Sequence, residues 1–196
     1  MKRLLLILIL TFSFQSWTKA DDISDFEIEE MSVGDSLLNY MSKSEIRGND
    51  LNYYKESSKF YTVNYTGPLK KYEAIEISIK RNDDKYEIYT IRAGIFINNL
   101  SECLKEKDKI VKEIRNIFTN PIFTIGEQPH YEFPKSTQYI SQFTFKNSDH
   151  KQDNVRVECM IWDNDTKNKL GYADNLSIFS QGIWRWGDIN AFKFPK

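Results

Sequence analysis

The chain is poor in the residues that usually carry chemistry. Of 196 residues only two are histidines, His130 and His150; eight are glycines and two are cysteines. Neither histidine belongs to a His-x-x-x-His pair or sits beside a cysteine, so no zinc signature is present. The glycines form no Gly-x-Gly-x-x-Gly and no phosphate loop, which removes the usual nucleotide cradles. Asp163-Asn164-Asp165-Thr166-Lys167 opens like a calcium loop, but lysine takes its fifth position and Asn168 stands where glycine is needed, so it reads as a polar turn between strands. No catalytic, cofactor-binding or metal residue is assigned on these grounds. Charge of one sign is also missing: 27 lysines and arginines face 28 acids, a balance that asks for neither nucleic acid nor an anionic membrane. No apolar run reaches the roughly twenty residues that span a bilayer.

What is present begins with an export signal. Lys2 and Arg3 precede an apolar stretch from Leu4 to about Phe14, and Thr18-Lys19-Ala20 supplies small residues at the positions a signal peptidase reads. Residues 1–20 are therefore expected to be a signal peptide cut near Ala20, and residues 21–196 a single domain in the periplasm or secreted, with no transmembrane segment in the mature chain. Both cysteines, Cys103 and Cys159, fall in the exported part. An even count in an oxidising compartment predicts that they form a disulfide.

Periodicity predicts an α+β domain. Phe26 and Ile28 alternate with acids in a short extended segment, and Ser32-x-x-Asp35 has the form of a helix start, predicting a short N-terminal helix over about 33–42. From Phe60 the chain turns to strands: Ile75, Ile77 and Ile79 alternate with polar residues, and a polar turn at 81–85 leads to a second run from Tyr86 to Ile97, a hairpin. Asn99-x-x-Glu102 resembles a capping box ahead of a helix over about 100–118, with Leu100, Cys103, Ile110, Val111 and Ile114 among the residues on one stripe. Residues 119–137 hold three of the five prolines and read as a long loop. Strands follow at 139–146, 155–162 and about 175–180. The expectation is an antiparallel sheet of about five to six strands packed on one face by the long helix, with the disulfide fastening the helix's first turn to that sheet.

Two stretches bear on function. Gly34-Asp35-Ser36-Leu37 matches the letters that mark the nucleophile in the GDSL (SGNH) esterase and lipase family, a resemblance that would make Ser36 catalytic. That family's motif follows a buried strand and needs an Asp-x-x-His near the C-terminus. Here the preceding segment is acidic and alternating, and no histidine follows His150. A serine without its base is an ordinary hydroxyl, so Ser36 reads as part of the helix start. Near the other end, Trp184-Arg185-Trp186 would set both indoles on one face if extended, with Tyr172, Phe179, Phe192 and Phe194 nearby in sequence; the group reads either as a platform for a sugar ring or a protein partner or as the last pieces of core.

The opening Asp25-Phe26-Glu27-Ile28-Glu29-Glu30-Met31-Ser32-Val33-Gly34-Asp35-Ser36-Leu37-Leu38, with a cysteine opening a lysine-rich helix and a second in a late strand, resembles a family of small exported proteins of marine alphaproteobacteria. The resemblance implies a Gram-negative periplasm and brings no activity with it. More distantly, the segment is similar to that of small outer-membrane assembly lipoproteins, in which a glycine stands where this chain has Glu30. The function expected is a non-catalytic binding domain of the cell envelope, its partner an envelope protein or glycan. The alternative is a periplasmic hydrolase whose acids and histidine converge only in the fold.

Overall fold

A computed structural model describes residues 22–53, 59–146 and 152–182. Residues 1–20, expected to be a signal peptide, His150 and the Trp184-Arg185-Trp186 stretch expected to form a platform lie outside them. The described residues build a seven-stranded, wholly antiparallel sheet. After a two-residue hairpin, β1 (Glu27–Ile28) and β2 (Met31–Ser32), and a short helix α1 (Lys43–Gly48), the chain enters a meander of β3 (Phe60–Asn64), β4 (Ala74–Lys80) and β5 (Ile88–Phe96). The long helix α2 (Leu100–Ile117) then carries it to the far edge. A second meander returns through β6 (Ile122–Pro129), β7 (Thr137–Lys146) and β8 (Gln152–Ile161), and after α3 (Asn164–Leu170) the last strand, β9 (Asn175–Gln181), closes between β8 and β5. The strand order is β3-β4-β5-β9-β8-β7-β6.

Alternation decides which face is covered. Val63, Ile75, Ile77, Ile79, Ile91, Ala93, Ile178, Leu176, Val155, Val157, Cys159 and Phe143 point to one side and are buried there with Ile110, Val111 and Ile114 of α2. The same side is finished by the N-terminal segment, whose Ile23, Phe26, Ile28, Met31, Val33, Leu37 and Ile46 join the cluster. Phe26 meets Phe118 at 5.8 Å and Phe118 meets Phe145 at 4.5 Å, so the hairpin is sewn to the end of α2 by aromatic contacts. Each fully buried isoleucine contributes about 2 kcal/mol by its removal from water. Cys103 and Cys159 are joined by a disulfide, with Cα atoms 6.0 Å apart, between the first turn of α2 and the middle of the sheet.

Three elements differ from the expectation. No helix spans 33–42: Gly34 takes φ 99°, the amide of Ser32 donates to the Asp35 carboxylate at 2.9 Å, and only a three-residue 3-10 turn, Leu37–Asn39, forms. The segment instead runs along the sheet, with Gly34 and Leu37 amides donating to the carbonyls of Ile88 and Tyr86. The helix begins ten residues later than expected, where Ser42 and Glu45 complete a reciprocal capping box. The stretch read as a proline-rich loop contains β6, because Pro121 precedes the strand and Pro129 ends it, and an edge strand tolerates proline at its limits. Finally, Asp163 opens a helix in place of a turn, and Gly171 closes it in the left-handed conformation at φ 70°.

The β1–β2 hairpin holds an unusual turn. Its two central residues, Glu29 and Glu30, sit at φ 51° and 68°, a conformation that favours glycine or asparagine. Glu29 stays there because its carboxylate accepts the amides of Lys70, Lys71 and Tyr72 at 3.0, 2.6 and 3.2 Å. Burial pushes that carboxyl up, but the three amides outweigh it and hold the group below the usual carboxylate range. Glu30 pairs with Lys70, and its carbonyl accepts the Tyr40 hydroxyl at 2.9 Å.

Candidate functional site

The face of the sheet opposite α2 is polar, and its register brings distant charges into one row: Asn64, Glu76, Arg92, Phe179, Arg156, Gln142 and Thr124, one from each strand. Phe179 lies at its centre between two guanidinium groups, Arg92 at 5.1 Å and Arg156 at 4.5 Å from the ring centroid. Each arginine is also paired, Arg92 with Glu76 at 3.4 Å and Arg156 with Glu158 at 3.3 Å. Toward one end of the face Thr62, Ser78, Thr90, Asn154 and Thr144 are closed to solvent. Toward the other, Ser177, Glu158 and Asn175 of the central strands are also buried, and Phe96 stands out at 56% exposure.

At that end a depression of about 100 Å³ is lined by Ala74, Glu76, Arg92, Gly94, Phe96, Asn175 and Ser177. Small side chains make its floor, since Ala74 and Gly94 are register partners and Gly94 carries no Cβ that would fill it. Phe96 stands at its edge 56% exposed, and Tyr53, 49% exposed, reaches over to donate its hydroxyl to Glu76 at 2.9 Å. Burial and the Glu76 carboxylate both push the Tyr53 phenol well above its ordinary value, so it remains a hydrogen-bond donor throughout the physiological range.

An aromatic cluster adjoins this end. Trp162 contacts Tyr172 at 4.7 Å, His130 at 4.9 Å and Phe133 at 5.6 Å. It is set in place by α3: the Asp163 carboxylate accepts from the Thr166 hydroxyl at 2.6 Å, the Ser136 hydroxyl at 2.8 Å and the Asp165 and Thr166 amides, which holds its carboxyl down to about 2. Asp174 accepts the Trp162 amide at 2.8 Å and the Lys167 ammonium at 2.7 Å. Burial pushes His130 below its usual value despite Glu132 and Glu158 nearby, and its Nδ1 accepts the amides of Glu132 and Phe133 at 3.2 and 3.3 Å. The imidazole is thus neutral at pH 7 with its proton on Nε2, and its ring serves as a stacking partner.

Ser36 lies in an open groove of about 430 Å³ with Gly34, Leu38, Lys85 and Glu87. Its hydroxyl donates to the Lys85 carbonyl at 2.6 Å, so its proton is committed to a backbone acceptor and not to a base. One hydroxyl does meet an amine: Lys107 of α2 donates to Ser141 of β7 at 2.7 Å, and burial lowers the lysine's affinity for its proton. That pair is sealed between helix and sheet, Lys107 at 5% and Ser141 at 1% exposure, where no substrate carbonyl could reach it. Among the described residues no three of His, Cys, Asp and Glu gather as a metal site, and no helix is long and apolar enough to cross a membrane.

Of the residues singled out by sequence, Cys103 and Cys159 are brought together. His130 enters the aromatic cluster with Tyr172, and Phe179 reaches the centre of the polar row, whereas Tyr53, Glu76, Arg92 and Phe96 were missed. The one signal that could have found them was alternation, which puts Glu76 and Arg92 on the polar side of their strands. Compared with known proteins, the chain matches no family model, no curated protein and no solved structure.

Proposed function

We propose that this chain is an exported, non-catalytic binding domain that works in the periplasm or outside the cell and holds an envelope glycan at the Phe96 end of its polar sheet face. The observation that carries the reading is the group of half-exposed aromatics, Tyr53, Phe96 and Tyr172, beside a depression lined by the Glu76 carboxylate and the Arg92 guanidinium, with Asn175 and Ser177 bonded to each other and buried at its base. A sugar presents one apolar face and a rim of hydroxyls, and such a surface answers both, the rings by stacking and the ion pair by bidentate hydrogen bonding. The Cys103–Cys159 bond supports export, because structural disulfides persist in oxidising compartments.

Co-sedimentation with isolated cell-wall glycan tests the proposal. The wild-type chain should pellet with the glycan, and Phe96→Ala should stay in the supernatant with an unchanged melting temperature, since that ring is more than half in solvent. A wild-type chain that does not pellet, or a variant that pellets equally well, sinks the reading.

A further inference from the structure

The two edges of the sheet are treated differently. Along β3 the segment 49–51 supplies a cover: the Leu51 amide donates to Thr62 and the Asn64 amide to the Asn49 carbonyl, both at 2.9 Å. Along β6 no backbone bond reaches the outer side among the described residues, although the strand keeps eight consecutive register pairs with β7 without a bulge. Of its eight residues all but Phe123 are exposed, Ile125 at 73%. The usual devices that blunt an edge are sparse: β6 has no lysine and no bulge, its one proline is the final residue and its one charge is Glu127.

We propose that β6 is a self-association edge, where two copies of this chain pair β6 against β6 about a two-fold axis and extend one sheet across both. Geometry restricts the register. Side chains opposite each other must share a face, so in an antiparallel self-pair the axis must pass through a residue and not between two. An axis through Ile125 places it against Ile125 of the second copy, Thr124 against Gly126, Phe123 against Glu127 and Ile122 against Gln128. Each pairing is compatible. The most exposed isoleucine among the described residues is covered by its own copy, and Gly126, around which a Cβ would meet nothing within 4 Å, leaves room for the threonine. The charges also match: the Arg115 guanidinium lies 4.0 Å from the Phe123 ring centroid, so Glu127 of the second copy, facing Phe123, arrives beside an arginine on both sides of the axis.

Light scattering on the exported chain, over a range of concentrations, reads the association directly. The wild type should approach twice the chain mass, and Ile125→Lys, which sets two ammonium groups face to face at the axis, should stay at one chain mass with an unchanged melt. As a positional check, Ile125→Cys should oxidise to a covalent dimer far faster than Tyr131→Cys, a site 80% exposed but outside the strand. A wild type that remains monomeric at hundreds of micromolar, an Ile125→Lys chain that still dimerises, or equal cross-linking of the two cysteine variants would overturn the proposal.

Discussion

Removing the disulfide should lower the melting temperature by about 10 °C. The bond closes a loop with a sequence separation of 56, for which the chain-entropy relation gives about 4 kcal/mol at 25 °C. In a domain of this size each kcal/mol moves the midpoint by about 2–4 °C, so the full value corresponds to about 8–16 °C, and residual order in the unfolded chain trims it. The location argues that most of the effect survives. Cys103 and Cys159 are fully buried, and the bond ties the start of α2 to β8, the strand it packs against most closely. The assay is a calorimetric melt of Cys103→Ala/Cys159→Ala beside the wild type, with intact-mass measurement after alkylation to verify the oxidised pair. The same burial predicts that dithiothreitol leaves the native bond intact at room temperature and cuts it only as α2 opens on heating. A shift below about 3 °C would refute the reasoning, because it would mean that the unfolded chain gains no freedom when its 56-residue loop is released.

Three further outcomes follow from local geometry. Glu30→Gly should stabilise the fold by up to about 1 kcal/mol in urea unfolding, since φ 68° strains an L side chain and the exposed pair with Lys70 that it forfeits is screened by solvent. Glu29→Gln should do the opposite by about 1 kcal/mol, leaving one neutral oxygen for three amides. Because the folded carboxyl of Glu29 is depressed, its contribution is present above the ordinary glutamate value of about 4.3 and is lost as pH falls through the folded one, so the gap between wild type and variant should close in acid. His130 has a lowered folded value too, so its neutral form favours folding above about pH 6.5 and that advantage disappears as pH falls through the folded value. An NMR titration should place its midpoint below that of an unfolded histidine. A midpoint above 6.5 would contradict the Nδ1 bonds to Glu132 and Phe133.

Where a segment's own pattern decided its structure, the sequence could be read. Ile75, Ile77 and Ile79 alternate because one side of β4 faces the core, and the stripe on α2 recurs at helical spacing because one side of the helix does the same. Where an outside partner decided, it could not. The Ser32-x-x-Asp35 pattern is a good helix start, yet the amides that would have opened a helix there are taken by the Ile88 and Tyr86 carbonyls of β5 and its preceding turn. Likewise β6 has no alternation to read, because both of its faces look largely to solvent and, among the described strands, it pairs only with β7.

The same division explains why the candidate site was invisible. Alternation assigns Glu76 and Arg92 to the polar side of a hairpin, and that much follows from neighbouring residues. The guanidinium–phenyl–guanidinium stack needs β9 to enter between β5 and β8, a choice made after a crossover along α2 and a complete second meander. Strand order is set by which pairing buries the most apolar surface on the helix side, so polar residues on the opposite side are placed by the core and not by one another. Their convergence is therefore a consequence of Ile91, Ala93, Ile178, Val155 and Val157 packing under α2. Substituting those core residues should disturb the Glu76–Arg92–Phe179–Arg156 row, whereas substituting Arg92 or Glu76 should leave the strand order intact. The expected signature of Arg92→Ala is an unchanged far-ultraviolet spectrum with loss of glycan retention, and a collapse of the sheet in that variant would show that the polar row helps to choose the topology.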